Sequence, residues 1–306
     1  MADFSYIGSG KVYLRDRDAS PQLGLVEVGN CSALNFAVTE DVKELKDFTQ
    51  PGGGTYNEVR RISAVECQIT MHDISGKNLS RALYGTATDV ASGSVTNESA
   101  TAYPGALIRL ANMPASTPGY TVEGVATTRA DSTAYALGDF IKPATPNTYI
   151  YKVTTAGTSA SSPPSFPTTI GDTVADGTAV ITCAGKLAPA SGTDFEARAG
   201  GLYVNEGVVM AGGVPWQIDY TKAATEVVQA LVTSGKEYEL VFDGLNEAHS
   251  GKRTLVVAHR VKIGALQNLA LIGEDYAAVE ASGKLLKDTT KNGTSVSQYF
   301  KVEVEA

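Results

Sequence analysis

The chain has 306 residues, 43% of them hydrophobic, enough to bury one large core or two modest ones. Its 25 basic and 33 acidic side chains leave a formal net charge of −8, and no basic stripe with interleaved aromatics occurs, which excludes a protein that wraps nucleic acid. No apolar run of about 18 residues exists to span a bilayer. Met1 to Gly10 lacks the basic start and apolar core of a secretory leader. Cys31, Cys67 and Cys183 are odd in number and far apart, which excludes a disulfide framework and a zinc site. Composition therefore points to a soluble globular protein, made and assembled in a cytoplasm, with no metal and no cofactor.

In chain order, Gly10–Leu14 and Leu23–Val28 read as strands separated by a polar turn, and Leu34–Val38 begins a third. A long loop follows. Its apex, Gln50-Pro51-Gly52-Gly53-Gly54-Thr55-Tyr56, places three glycines after a proline, too flexible for a hairpin turn and without side chains to order it. Around the apex stand Glu44, Lys46, Asp47, Glu58, Arg60 and Arg61, with Phe48 and Tyr56 as apolar members. Charges of both signs beside an apolar residue such as Phe48 or Tyr56 suit a segment that becomes ordered against another copy of the same chain; a disordered surface loop is the plainer alternative.

From Ile62 to Asp73 the pattern alternates, with Val65, Cys67, Ile69 and Met71 on one face and Glu66, Gln68, Thr70 and His72 on the other. The period then becomes helical. Ser75 is an N-cap candidate, Leu79, Ala82 and Leu83 fall at helical spacing, and Gly85 is placed for a left-handed C-terminal cap. Ala87–Ala100 is small and polar and reads as loop; Ala106–Leu110 resumes a strand.

Composition shifts near Gly124. The 63 residues of 124–186 include 18 Ser or Thr, five Pro and only eight charged residues, four of each sign, so the whole net charge belongs to the flanks. Phe140-Ile141, Tyr149–Val153 and Val180–Thr182 are short β runs between turn signals, which favours a small all-β module over a disordered linker. Asp194–Val204, Val208–Met210 and Thr225–Val232 return to strand-like patterns. Tyr238–Asp243 is the clearest late strand: Tyr238, Leu240 and Phe242 face one way, and Glu237, Glu239 and Asp243 give the other face an acidic character. Leu255–Ile263 and Tyr299–Val304 repeat the pattern, whereas Asp275–Gly283 carries no comparable signal.

Three stretches together carry a resemblance: GKVYL from Gly10, KDFTQPGGGTYNEVRRISAVECQITMHDISGKNLSRALYG from Lys46, and YELVFDGLNEAHSGKRTLVVAHRV from Tyr238. In that order the chain resembles the major tail tube proteins of long-tailed (siphovirus-like) bacteriophages, over most of its length outside the central insert. The resemblance implies a mainly-β fold, a tail-tube-type β-sandwich or barrel with a short flanking helix and a long loop, in a discontinuous core domain of residues 1–123 and 187–306. It further implies hexameric rings formed by edge-to-edge sheet pairing and stacked into a conduit for DNA ejection. The segment comprising Lys46, Asp47, Phe48, Pro51, Gly52, Gly53, Gly54, Tyr56, Glu58, Arg60 and Arg61 would be the arm reaching the neighbouring ring. Tail tip or baseplate, tape measure and tail terminator proteins would be its partners, the phage tail of the virion its location, and DNA a transient cargo.

Within the insert, YALGDFIKP, TYIYKVTTAGTSASSPPSFP and GDTVADGTAVITCAG resemble the small immunoglobulin-like or carbohydrate-binding β modules of phage tail and fibre proteins. A carbohydrate-binding adhesin or tail-fibre module is thus the alternative function, with Tyr135, Tyr149, Tyr151 and Phe166 as ring-stacking candidates. The competing reading keeps these aromatics for the module's own core, with the module on the tube exterior.

No chemistry emerges. GSGK at Gly8–Lys11 has Val12 where a phosphate-binding loop needs Ser or Thr. His72, His249 and His259 are isolated in sequence, and no carboxylate pair stands in contrasting environments. The chain reads as a non-enzyme. A tube that passes DNA without gripping it needs an acidic wall, and the candidates for that lining are Glu237, Glu239 and Asp243, with Glu66 and Glu303 on other strands.

Overall fold

The computed structural model describes residues 5–49, 51–266 and 268–305. The fold is mainly β, with one short α-helix among the described residues. It divides into two compact units, Met1–Thr88 with Glu226–Ala306, and Asp89–Thr225. These boundaries differ from 123/124 and 186/187, where composition shifts.

The first unit begins with β1 (Gly8–Asp16), β2 (Val26–Glu27), β3 (Cys31–Lys46), β4 (Thr55–Met71), α1 (Gly76–Ala82) and β5 (Thr86–Val90). The second contains β6 (Gly93–Ala102), β7 (Leu107–Arg109), β8 (Thr121–Gly124), β9 (Thr127–Thr128), β10 (Ala134–Tyr135), β11 (Phe140–Lys142), β12 (Tyr149–Thr155), β13 (Gly157–Thr158), β14 (Thr173–Asp176), β15 (Ala179–Lys186), β16 (Phe195–Arg198), β17 (Gly201–Val204) and β18 (Val214–Lys222). The chain returns through β19 (Thr225–Gln229), which pairs with β5, to β20 (Glu237–Asn246), β21 (Lys252–Ile263), β22 (Val279–Leu285) and β23 (Phe300–Val304).

In the first unit one eight-stranded sheet runs β2-β1-β20-β21-β22-β4-β3, with β23 on β21. All of its pairings are antiparallel. Its inner face is the alternation read from the sequence: Val65, Cys67, Ile69 and Met71 on β4 meet Leu14, Leu240, Val261 and Val279 in one core. Full burial of such side chains contributes roughly 1.5–3 kcal/mol each. Helix α1 lays Ala82 and Leu79 onto this face. Ser75 caps it, its side chain accepting from Asn78 N. The expected left-handed residue is not Gly85 but Tyr84, at φ 49°. Tyr84 holds that conformation because its carbonyl accepts from Val232 and Thr233 and its hydroxyl donates to Ile263 O at 2.9 Å.

One reading of loop is corrected, and one stretch without a strand signal proves to hold a strand. Asp275–Gly283 runs into β22, where Val279, Ala281 and Leu285 are buried; alanine and glycine at strand positions had muted its apolar signal. Ala87–Ala100, read as loop, contains most of β5 and most of β6, and β6 is held as a strand by its ladder with β18. That partner, carrying Val214, Trp216, Ile218 and Tyr220 into the second unit's core, was not read from the sequence.

The second unit holds three-stranded sheets β6-β18-β8 and β16-β17-β7 and a five-stranded sheet β14-β15-β12-β11-β9 built from residues within 124–186. The five-stranded sheet has its own small core of Ile141, Tyr151, Val153, Ile181 and Cys183. Ile150 and Ala184 of the same segment belong instead to the unit's larger core around Trp216 and Phe195. The segment therefore folds as one part of a wider unit.

Candidate assembly surfaces

The stretch expected as a long loop is a β-hairpin. Strands β3 and β4 pair from Cys31↔Met71 outward to Lys46↔Thr55, and only residues 47–54 turn. The outer ladder includes Asp41↔Arg61, Lys43↔Val59 and Glu44↔Glu58, so Glu58, Arg60 and Arg61 are strand residues. The tip is closed by its own contacts: Asp47 N donates to Gly54 O at 2.8 Å, and the Asp47 carboxylate accepts from Thr49 N at 2.8 Å and Thr49 Oγ1 at 2.5 Å. Those bonds hold the Asp47 carboxyl below its ordinary pKa. The glycines permit this turn, since Gly52 has φ 82° and a side chain on Gly53 would collide with the Asp47 carbonyl. Pro51 and Gly54 complete the tip, while Gln50 lies outside the described residues.

From Val38 to Lys46 and from Thr55 to Ser63 every residue is exposed. At about 3.3 Å per residue the outer hairpin reaches roughly 25 Å from the core. Along it stand Val38, Val42, Leu45, Val59 and Ile62, ending in Phe48 (84% exposed) and Tyr56 (71%). Sequence reading found the two aromatics and missed the aliphatic residues, because a bulge between Thr39 and Glu40 breaks the alternation that would have revealed them. Arg60 bonds Glu58 and lies 3.3 Å from Glu40, aligning charges along the same arm. A two-stranded ribbon without a covered face is marginal in water, so the arm's chemistry is that of a surface to be covered.

The sheet also ends in open edges. Among the described residues β3 pairs only with β4, and β2, two residues long, only with β1.

Four of the five candidate lining acids lie beside a cation of the same unit. Glu237 binds Arg260 through two hydrogen bonds of 2.5 and 2.8 Å, which hold its carboxyl below the usual range. Glu239 pairs with Arg15, Glu66 lies 4.0 Å from Lys284, and Glu303 lies 2.5 Å from Lys301. Of the five, Asp243 alone has no ion pair among the described residues. Glu237 and Glu239 of β20 are thus paired with cations from β21 and β1, and Glu66 of β4 lies near a cation from β22, strands whose proximity only the pairing order creates.

The aromatic candidates in the module are core residues. Tyr151 is fully buried and packs on Phe166 at 4.9 Å between ring centres, its hydroxyl donating to Pro167 O. Tyr135 and Tyr149 pack partly buried against the same cluster. GSGK lies in β1 with its backbone laddered to β20. The three thiols are free, and burial pushes Cys31 and Cys183 up to about 11 and Cys67 to about 12, away from thiolate reactivity. Among the described residues no group of His, Cys, Asp and Glu could hold a metal ion, and no helix is long and apolar enough to cross a membrane.

These features define a mainly-β protein with a projecting apolar hairpin and open sheet edges. The chain belongs to the family described as protein of unknown function UCP028589, whose model matches residues 5–161 and 173–303. That match runs through most of the 124–186 module, which is therefore part of what the family shares. No curated protein matches the sequence.

Proposed function

We propose that the protein is a structural, non-enzymatic subunit of a bacteriophage tail tube, assembling into hexameric rings that stack into a conduit for DNA ejection. The observation that carries this reading is the hairpin of β3 and β4, an ordered arm that displays seven large apolar side chains to solvent, left uncovered by the described residues of its own unit. In the tube the arm packs against the adjacent ring. The open edges at β3 and β2 supply the second kind of contact, because a 16-residue edge strand offers an unpaired row of amides and carbonyls to a neighbouring copy. Tail tip or baseplate, tape measure and terminator proteins would meet the ends and interior of the tube. The tail would be assembled in the host cytoplasm. DNA passes through as cargo, and the paired charges of the sheet would present it with a balanced wall. The tube reading is favoured over the adhesin alternative because Tyr151 lies in the module's core and Tyr135, Tyr149 and Phe166 pack partly buried against it. Negative-stain electron microscopy of the purified protein tests the reading: rings or tubes are expected, and a monodisperse monomer at high concentration would overturn it.

A further inference from the structure

We propose that a polar pocket at one end of the first unit's large sheet binds a small tetrahedral oxyanion of the phosphate or sulfate class. The cavity, about 230 Å3, is lined by Arg15, Arg17, Gln22, Glu239, His259, Asp288, Thr290 and Lys291. At about 30 Å3 per water this holds one such anion with part of its hydration.

The charges lining it are unequal. Arg15, Arg17 and Lys291 bring three positive charges against Glu239 and Asp288, in a chain that is acidic overall. Both carboxylates are already engaged. Asp288 accepts from Arg17 Nη1 at 2.9 Å, Thr290 N at 3.1 Å and Thr290 Oγ1 at 2.7 Å, and Glu239 pairs with Arg15. These bonds leave little carboxylate capacity for a cation. Donor capacity remains: Arg15 Nε is buried without a hydrogen-bond partner, and Lys291 has no ion pair among the described residues. A buried donor left unmatched is unfavourable, and an oxyanion offers acceptors to both groups.

His259 adds a switch to the site. It is buried on β21, facing Arg15, Arg17, Asp288 and Lys291, with Glu239 on β20 and Lys301 on β23 nearby. Burial, then Lys291, depresses its pKa, so the imidazole is neutral in the empty pocket at neutral pH. An anion beside it reverses that balance. Binding of sulfate, whose own charge is constant over this range, therefore strengthens as pH falls and His259 takes up a proton.

The test is a titration of the full chain with sodium phosphate, with sodium chloride at matched ionic strength as the control, following the His259 ring signals by NMR. Saturable shifts with phosphate alone, a raised His259 pKa, and binding weakened about tenfold in Lys291→Gln are expected. Equal responses to phosphate and chloride in the wild-type protein, or unchanged affinity in a Lys291→Gln protein of native circular dichroism, would overturn the proposal. The wild-type comparison stands alone should the variant fail to fold.

Discussion

Arg129 and Asp176 form a two-pronged ion pair inside the second unit: Nε and Nη2 of the guanidinium donate to the two carboxylate oxygens at 2.7 and 2.8 Å, with the side chains 3% and 1% exposed. Arg129 also bonds Asp131 and donates to the carbonyls of Ala160 and Ser162, fastening a Ser- and Pro-rich strap that has few apolar groups of its own. Burial opposes the charge on Asp176, but the bonds from Arg129 and from Ala160 N prevail and hold its pKa below the ordinary value. Replacing Arg129 with Leu strands a buried carboxylate and is expected to cost about 3–5 kcal/mol of stability. Urea unfolding measures this directly. A loss below about 1 kcal/mol would contradict it, and Arg129→Leu combined with Asp176→Leu should recover much of the deficit.

The hairpin tip separates folding from assembly. Deleting Pro51 to Tyr56, or changing Phe48 and Tyr56 to Ser, removes exposed groups that no core requires. The subunit should unfold at its usual denaturant concentration yet form no tubes. Intact tubes from either variant would remove the arm from the assembly contact.

Lysine at Glu237 or Glu239 no longer gives a clean test of a DNA-facing wall, because each substitution places a cation against Arg260 or Arg15. Each is expected to destabilise the unit by roughly 1–2 kcal/mol. Asp243→Lys is the sharper probe, since Asp243 is exposed and has no ion pair among the described residues. If that face lines the channel, particles carrying Asp243→Lys should eject DNA more slowly in low salt and recover as salt rises. Normal ejection at low salt would place Asp243 elsewhere.

Acid sensitivity should centre on Asp288. The Thr290 hydroxyl, against opposition from burial and with help from Arg17 and the Thr290 amide, lowers its pKa to about 2. The folded value lies below the unfolded value of about 3.9, so the stabilisation is complete above pH 4 and is lost as pH falls toward 2. It amounts to on the order of 1–2 kcal/mol. Denaturation midpoints between pH 5 and 2 should fall less steeply in Thr290→Ala; identical slopes would assign the acid loss to other carboxylates.

By itself the sequence determined the strands that have one wet and one buried face. The alternation of Val65, Cys67, Ile69 and Met71, and of Tyr238 and Leu240, is a local pattern that water enforces residue by residue, and Ser75 caps α1 through a bond spanning three residues. Tertiary structure decided what depends on partners distant in the chain. The hairpin was hidden because its outer strands have no buried face to imprint a period, and its glycines are ordered by the Asp47–Gly54 bond across the turn. Strands β6 and β22 were hidden because small residues there borrow their order from β18 and β4. The acidic face predicted from β20 became a balanced one for the same reason: charge along a strand is written in its sequence, whereas charge across a sheet is set by which strands lie side by side.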